Sequence, residues 1–325
     1  MFDTDIQPGR ARGWWFRPVV TLLLYVLIFS AWVDVSSIAR LLAASDLRYV
    51  LLALLIYCGG QLASAYRWRL LLVPVRLTVP YSKLAEAYFI GMFFNIFLPT
   101  IVGGDAVKAI LLARETGAPA RSTVSVFMER NVGLLALLVV AAVASWYAPA
   151  IRGVSLVGLT LGIGAAYVAA NLVLVNRRAY RLVDRLVART PLAGMRQRAS
   201  SLYDAIAPYR KHPATLAGAL ALSFLHQAVV IGVVFLNARA LGQVFPLQAL
   251  AVFVPLISLA GMLPITMNGM GIRDVLYVLL FGQIGASRDL SVSLAMLYLA
   301  VTFMASLPGG VVYATRKSPA RRNTP

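Results

Sequence analysis

Two short stretches of the chain combine helix breakers with charge. In the first, Leu98-Pro99-Thr100-Ile101-Val102-Gly103-Gly104-Asp105 is followed by Lys108. In the second, Leu263-Pro264-Ile265-Thr266-Met267-Asn268-Gly269-Met270-Gly271 is followed by Arg273-Asp274. Pro99 and Pro264 interrupt a helix, because proline lacks an amide hydrogen and its ring clashes with the preceding turn. Gly103 and Gly104 in one stretch, and Asn268, Gly269 and Gly271 in the other, suit a tight turn. Each turn should lead into a helix whose first amides are free and whose first turn carries a cation. That is the chemistry of an anion site, with phosphate the natural ligand. Asp105 reads as the N-cap of a helix opening at Ala106, and Asp274 stands beside Arg273. A cap alone and a local ion pair alone would explain these carboxylates too, but the repetition of the pattern favours a phosphate-handling pair of tips. Asn95, one turn before Pro99, is placed to satisfy carbonyls freed by the break or to join the same site. Glu129-Arg130 lies about two turns inside an apolar run from Val124, where a charge is costly and faces either a polar cavity or a partner helix. His226-Gln227 sits in the middle of another apolar run, where a lone histidine reads as a helix-to-helix hydrogen bond.

These residues need an apolar frame. Apolar residues make up 60% of the 325-residue chain and charged residues 13%, against about 45–50% and about 25% in soluble domains. A soluble globule of this size cannot hide so much apolar surface, so the chain reads as an all-α integral membrane protein. One cysteine, Cys58, and two histidines, His212 and His226, provide neither a disulfide framework nor a multi-ligand metal site. No metal and no cofactor are expected. The net charge of +18 fits the positive-inside bias of membrane proteins better than nucleic acid, and no nucleic-acid partner is expected.

Apolar runs long enough to cross a bilayer occur at 14–33, 49–66, 124–147, 154–175, 216–236 and 290–313. The basic N-terminus, the loop holding Arg67, Arg69, Arg76 and Lys83, the segment 177–211 with nine Lys or Arg, and the basic tail 315–325 should be cytoplasmic. Residues 84–120 then cannot cross and return as two full spans. The second piece, Ala106 to Ala113, reaches only about 12 Å at 1.5 Å per residue. Both 84–120 and 248–287 are therefore expected to be broken-helix re-entrant hairpins. The order span, span, hairpin, span then occurs twice, at 14–147 and 154–314, with opposite orientation. Such inverted-topology repeats are typical of transporters, whose sites lie where the breaks meet. Lys108 and Arg273 are accordingly expected to face one cavity. Residues 177–211 alternate basic and apolar faces at helical spacing and suit a membrane-lying connector. The whole of 1–325 is read as a single transmembrane domain with N- and C-termini cytoplasmic.

The run Gly91-x-x-Phe94-Asn95-x-x-x-Pro99-x-x-x-Gly103-Gly104-Asp105-x-x-Lys108, followed by Glu129-Arg130-x-x-Gly133-Leu134, resembles the transmembrane region of lysylphosphatidylglycerol synthases, also called the flippase-like domain family. Pro264-x-x-x-Asn268-Gly269-x-Gly271-x-Arg273-Asp274 is similar to its second signature. The resemblance covers about 15 to 315. Lys108 stands where the family more often has Arg, Asn268 where it has Gly, and Asp274 where it has Glu. The chain is expected to be a stand-alone member without the aminoacyl-transferase domain. The resemblance implies a lipid flippase-like transporter of the inner membrane. Its cargo would be a phospholipid or other phosphate-bearing lipid, with aminoacylated phosphatidylglycerol, hopanoid and polyprenyl-linked lipids as family alternatives. In that reading Asn95, Gly103, Gly104, Lys108, Asn268, Gly269, Gly271 and Arg273 hold the head group. Asp105, Glu129, Arg130 and Asp274 balance charge or bind a coupling proton, and Pro99 and Pro264 are the hinges. An accessory subunit for a lipid-modifying enzyme is the alternative. A lipid-linked transferase is disfavoured, since no nucleophile–base constellation and no catalytic residue is visible.

Overall fold

The computed structural model describes residues 16–28, 33–97, 103–147, 156–175, 203–262 and 269–316, together with 178, 181 and 266. Every regular element among them is helical. In chain order these are α1 (Phe16–Leu27), α2 (Val35–Ala43), α3 (Leu47–Leu72), α4 (Tyr81–Phe97), α5 (Gly103–Thr116), α6 (Pro119–Ser145) and α7 (Leu156–Val175). A 3-10 turn (Ala207–Lys211) follows, then α8 (Pro213–Ala240), α9 (Leu247–Gly261), α10 (Ile272–Gly282) and α11 (Arg288–Thr315). Pro99, Pro264, Asn268, most of 177–211 and most of the basic tail lie outside the described residues.

Helix starts follow the local sequence. Asp34 and Asp46 accept from the amides of Ser36 and Arg48, each at 2.9 Å, and cap α2 and α3. Ser287 accepts from Leu290 at 3.2 Å and caps α11. Proline at the first position opens α6 and α8, where no amide hydrogen is needed.

Among the described residues, four helices, α3, α6, α8 and α11, are long and apolar enough to cross a membrane. The expected spans 14–33 and 154–175 coincide with α1 and α7, described over 12 and 20 residues. Large apolar side chains face outward: Leu22, Leu55, Val143 and Val311 are each more than 60% exposed. In water such a surface would aggregate; in lipid it is the normal exterior.

Two boundaries correct the sequence reading. The second span does not end at Tyr66, because α3 continues to Leu72 and carries Arg67 inside the bundle. The span expected from Val124 begins at Pro119. At α3 the reason is that Arg67 has a buried partner, Glu129, and such a charge does not end a helix.

Lipid tails are as apolar as leucine, so helices in a bilayer associate through close packing at small residues. Gly60 of α3 lies against Val229 of α8, where an added Cβ would come within 2.6 Å of the valine side chain. Gly309 of α11 lies on the backbone of Phe89, and Gly310 on the Phe93 ring, in α4. One apolar cluster joins α3, α8, α9, α10 and α11 through Val233, Leu250, Phe281 and Val301. A second joins α3 to α4, α5 and α6 through Trp68, Leu71, Ile90 and Leu112. α4 and α5 pack side by side, as do α9 and α10, as expected of two hairpins.

Candidate functional site

The first hairpin closes on two glycines. A Cβ on Gly104 would run into the carbonyl oxygen of Gly91 and into Asn95, so only glycine lets α5 cross α4 this closely. Asn95 Oδ1 accepts from the amide of Gly104 at 2.8 Å. Asn95 therefore satisfies a freed donor at the start of α5. Because α5 begins at Gly103, Asp105 lies inside the first turn and is not an N-cap. Its carboxylate instead binds Lys108 Nζ at 3.1 Å, Arg130 Nε at 2.8 Å and Arg130 Nη2 at 2.5 Å.

From there a chain of charge crosses the bundle. Lys108 Nζ donates to Glu129 Oε2 at 2.6 Å, and Arg67 Nη2 donates to Glu129 Oε1 at 2.8 Å. The order Arg130, Asp105, Lys108, Glu129, Arg67 alternates in sign. Aromatic and hydroxyl groups brace it. Tyr88 donates to Glu129 at 3.2 Å, Arg67 Nη1 to Ser223 Oγ at 2.9 Å, and Trp68 Nε1 to Ser125 Oγ at 3.1 Å. Lys108 also lies 4.6 Å from the Tyr88 ring centre and 5.4 Å from that of Trp68. Side-chain exposure is 8% or less at Arg67, Lys108 and Glu129, but 38% at Arg130, so the chain opens at its Arg130 end. The Nε of Arg67 is buried without a hydrogen-bond partner among the described residues.

These side chains line a cavity of about 320 Å³. Gln61 of α3 and His226 and Gln227 of α8 complete its polar wall, and Met262 and Tyr298 close it from the second half. His226 Nδ1 meets Ser64 Oγ at 3.2 Å, the helix-to-helix hydrogen bond expected of a lone histidine there.

The second hairpin repeats the glycine arrangement. Gly269 and Gly271 adopt φ of 73° and 84°, which side chains with a Cβ rarely take. A Cβ on Gly269 would come within 2.7 Å of Gly261 Cα and 3.0 Å of Arg273 Cδ. As Gly91, Gly104 and Lys108 meet in the first hairpin, so Gly261, Gly269 and Arg273 meet in the second. Asp274 Oδ2 accepts from the amide of Gly271 at 2.8 Å and so caps α10. The Arg273 guanidinium lies 5.0 Å from the Tyr298 ring centre.

The sequence matches the profile of the lysylphosphatidylglycerol synthase TM region over residues 14–309. This chain belongs to that family. It is also 27% identical over 312 residues to the protein named UPF0104 membrane protein PH1989 of Pyrococcus horikoshii, an alignment covering 88% of this chain and 92% of the relative.

Within this family member, Asn95, Asp105, Lys108, Glu129 and Arg130 all line the chamber, with Gly103 and Gly104 buried in the adjoining turn. Arg273 and Asp274 do not line it. They flank a smaller pocket with Tyr25, Met270 and Tyr277, and Tyr298 stands between Arg273 and the main cavity. The expectation that Lys108 and Arg273 face one cavity is thus corrected: a ring separates them. Sequence reading also missed Arg67, Gln61, Tyr88 and Ser223. The signal for Arg67 was present, because Gln61, Ser64 and Arg67-Trp68 recur every three to four residues and continue the inner face of α3.

Proposed function

We propose that the protein moves a phosphate-bearing lipid between the leaflets of the inner membrane, with the chamber between α3, α5, α6 and α8 receiving the head group. The observation that carries this reading is a pair of buried cations on the wall of a polar chamber, one of them with an unused donor. A buried charge is expensive unless its hydrogen-bonding groups are met. Lys108 and Arg67 are both buried beside the chamber, and among the described residues the Nε of Arg67 has no hydrogen-bond partner. A phosphodiester oxygen would complete that hydrogen bonding between the two cations.

We read the two halves as an inverted repeat of about six spans and two hairpins, with both termini cytoplasmic. The matching Gly–Gly–cation arrangements support that reading. In the mechanism, the phosphate enters past the exposed Arg130, displaces Asp105, and is held by Lys108 and Arg67. Rocking of one half against the other, with Tyr298 moving aside, then presents it to Arg273. Proteoliposomes carrying a head-group-labelled phosphatidylglycerol test this. The wild-type protein should make inner-leaflet label accessible to a membrane-impermeant quencher, and Arg130→Gln should slow that exposure about tenfold while leaving the protein folded. Equal accessibility with empty liposomes would overturn the proposal.

A further inference from the structure

A second concave surface lies at the other end of α6 from Trp146, where α3 ends and α6 and α8 begin. It is a groove of about 550 Å³ between the loop after α3, the first turns of α6 and the 3-10 turn. Four basic side chains line it, Arg76, Arg121, Lys211 and His212, against one carboxylate, Asp204. Arg76, Arg121 and Lys211 are exposed. His212 directs Nδ1 to the Pro208 carbonyl at 3.0 Å; since a carbonyl only accepts, Nδ1 carries the hydrogen and Nε2 is left for another group.

Two features set this groove apart from an ordinary solvated basic loop. It is built: Tyr209, 1% exposed, donates its hydroxyl to the Leu71 carbonyl at 2.8 Å and pins the 3-10 turn to the end of α3. Arg76 is held at φ 54°, the sole non-glycine residue with positive φ among those described. The groove is also amphipathic, for between the cations its floor is Pro74, Val75, Val124 and Ala205. Neighbouring Val73 is 55% exposed on the lipid-facing exterior. The adjoining helix starts, α6 and α8, have neither a side-chain cap nor an acidic residue in the first turn, so no carboxylate of their own offsets the positive field.

We propose that this groove is a lipid site separate from the chamber, which binds the head group of an anionic phospholipid from the leaflet at the basic end of the bundle. The cations take the phosphate, and the apolar floor takes the first carbons of the lipid. A soluble phosphate compound would gain nothing from that floor. The inference does not depend on lipid translocation.

The test uses the full chain in nanodiscs with a photoactivatable phosphatidylglycerol, adducts being mapped by peptide mass spectrometry. Adducts should form on the peptides holding Val75 and Ala205, and a phosphatidylcholine probe should give far fewer. Arg121→Gln combined with Lys211→Gln should lower those adducts about thirtyfold, roughly five- to sixfold per cation lost. Arg76→Gly removes a cation while favouring the observed φ, so it should lower them about fivefold without loss of folding. Adducts at chamber peptides should not change in either variant. Equal labelling by the two lipids, or unchanged labelling in both variants, would overturn the site. Loss of labelling on adding millimolar inorganic phosphate would overturn the lipid assignment in favour of a soluble phosphate ligand.

Discussion

The two hairpins are built alike and electrostatically unlike. In each, a glycine on the ingoing arm meets a glycine at the turn, and a cation four residues on lies across both: Gly91, Gly104 and Lys108, then Gly261, Gly269 and Arg273. In each, the long helix after the hairpin supplies the partner of that cation. α6 offers a carboxylate, Glu129 at 2.6 Å from Lys108. α11 offers a ring, Tyr298 at 5.0 Å from Arg273. Breaking a buried ion pair costs about 3–5 kcal/mol, whereas a cation–π contact contributes about 0.5–2 kcal/mol. The first half is therefore electrostatically locked, and the second holds its cation in an exchangeable way.

The sharpest test of that difference is Glu129→Gln. It leaves Arg67 without its carboxylate and Lys108 with Asp105 alone, and should destabilise the protein by about 3–5 kcal/mol, read as a fall in melting temperature in detergent. Arg67→Met on that background should restore part of the loss, because it removes the stranded charge. A melting temperature unchanged in Glu129→Gln would show that the lock is not one. The corresponding change in the second half, Tyr298→Leu, removes a ring and not a countercharge and should cost far less.

How much of this was legible in the chain depended on whether the cause was local. The close packing at Gly104 and Gly269 could be read because these glycines act within one turn of their own positions. The charged members of the first tip and Glu129-Arg130 could be read because a charge in an apolar run is conspicuous. Arg67 could not be read the same way. Its partner is 62 residues away on another helix, and without that partner an arginine at the end of an apolar run looks like a membrane boundary. The ring between Arg273 and the chamber was hidden for the same reason, since tyrosine in an apolar span carries no mark of what it faces.

A second comparison concerns the glycines. Gly269→Ala meets Gly261 Cα at 2.7 Å, an overpacking that should cost about 1–3 kcal/mol. It also needs φ 73°, which should add about 1–2 kcal/mol. Gly104→Ala forces a methyl into the Gly91 carbonyl and Asn95, and should cost about 1–3 kcal/mol with no such addition. Gly59→Ala, with nothing within 4 Å of the new methyl, is the control and should leave stability unchanged or raise it slightly. Thermal unfolding should find a loss at both 269 and 104 and none at 59. Equal tolerance of alanine at all three positions would show that the hairpins do not close on their glycines.

The smallest effect expected is also the one that bears most directly on movement between the halves. Tyr298 lines the chamber on one side and covers Arg273 on the other. If the ring is a partition, its electron-rich face and its bulk matter more than its hydroxyl. Tyr298→Phe keeps both and should leave stability within about 1 kcal/mol and transport within about twofold of wild type. Tyr298→Leu removes the face but keeps an apolar side chain, and should cost about 0.5–2 kcal/mol. It should also open a path from the chamber to Arg273. In the Tyr298→Leu protein, a cysteine placed at position 273 should then react with a water-soluble thiol reagent at least several times faster than the same cysteine beside Tyr298. Cys58, the native thiol, is replaced by alanine in both proteins. If the two rates are equal, Tyr298 is packing and not a partition, and the second hairpin does not communicate with the chamber through it.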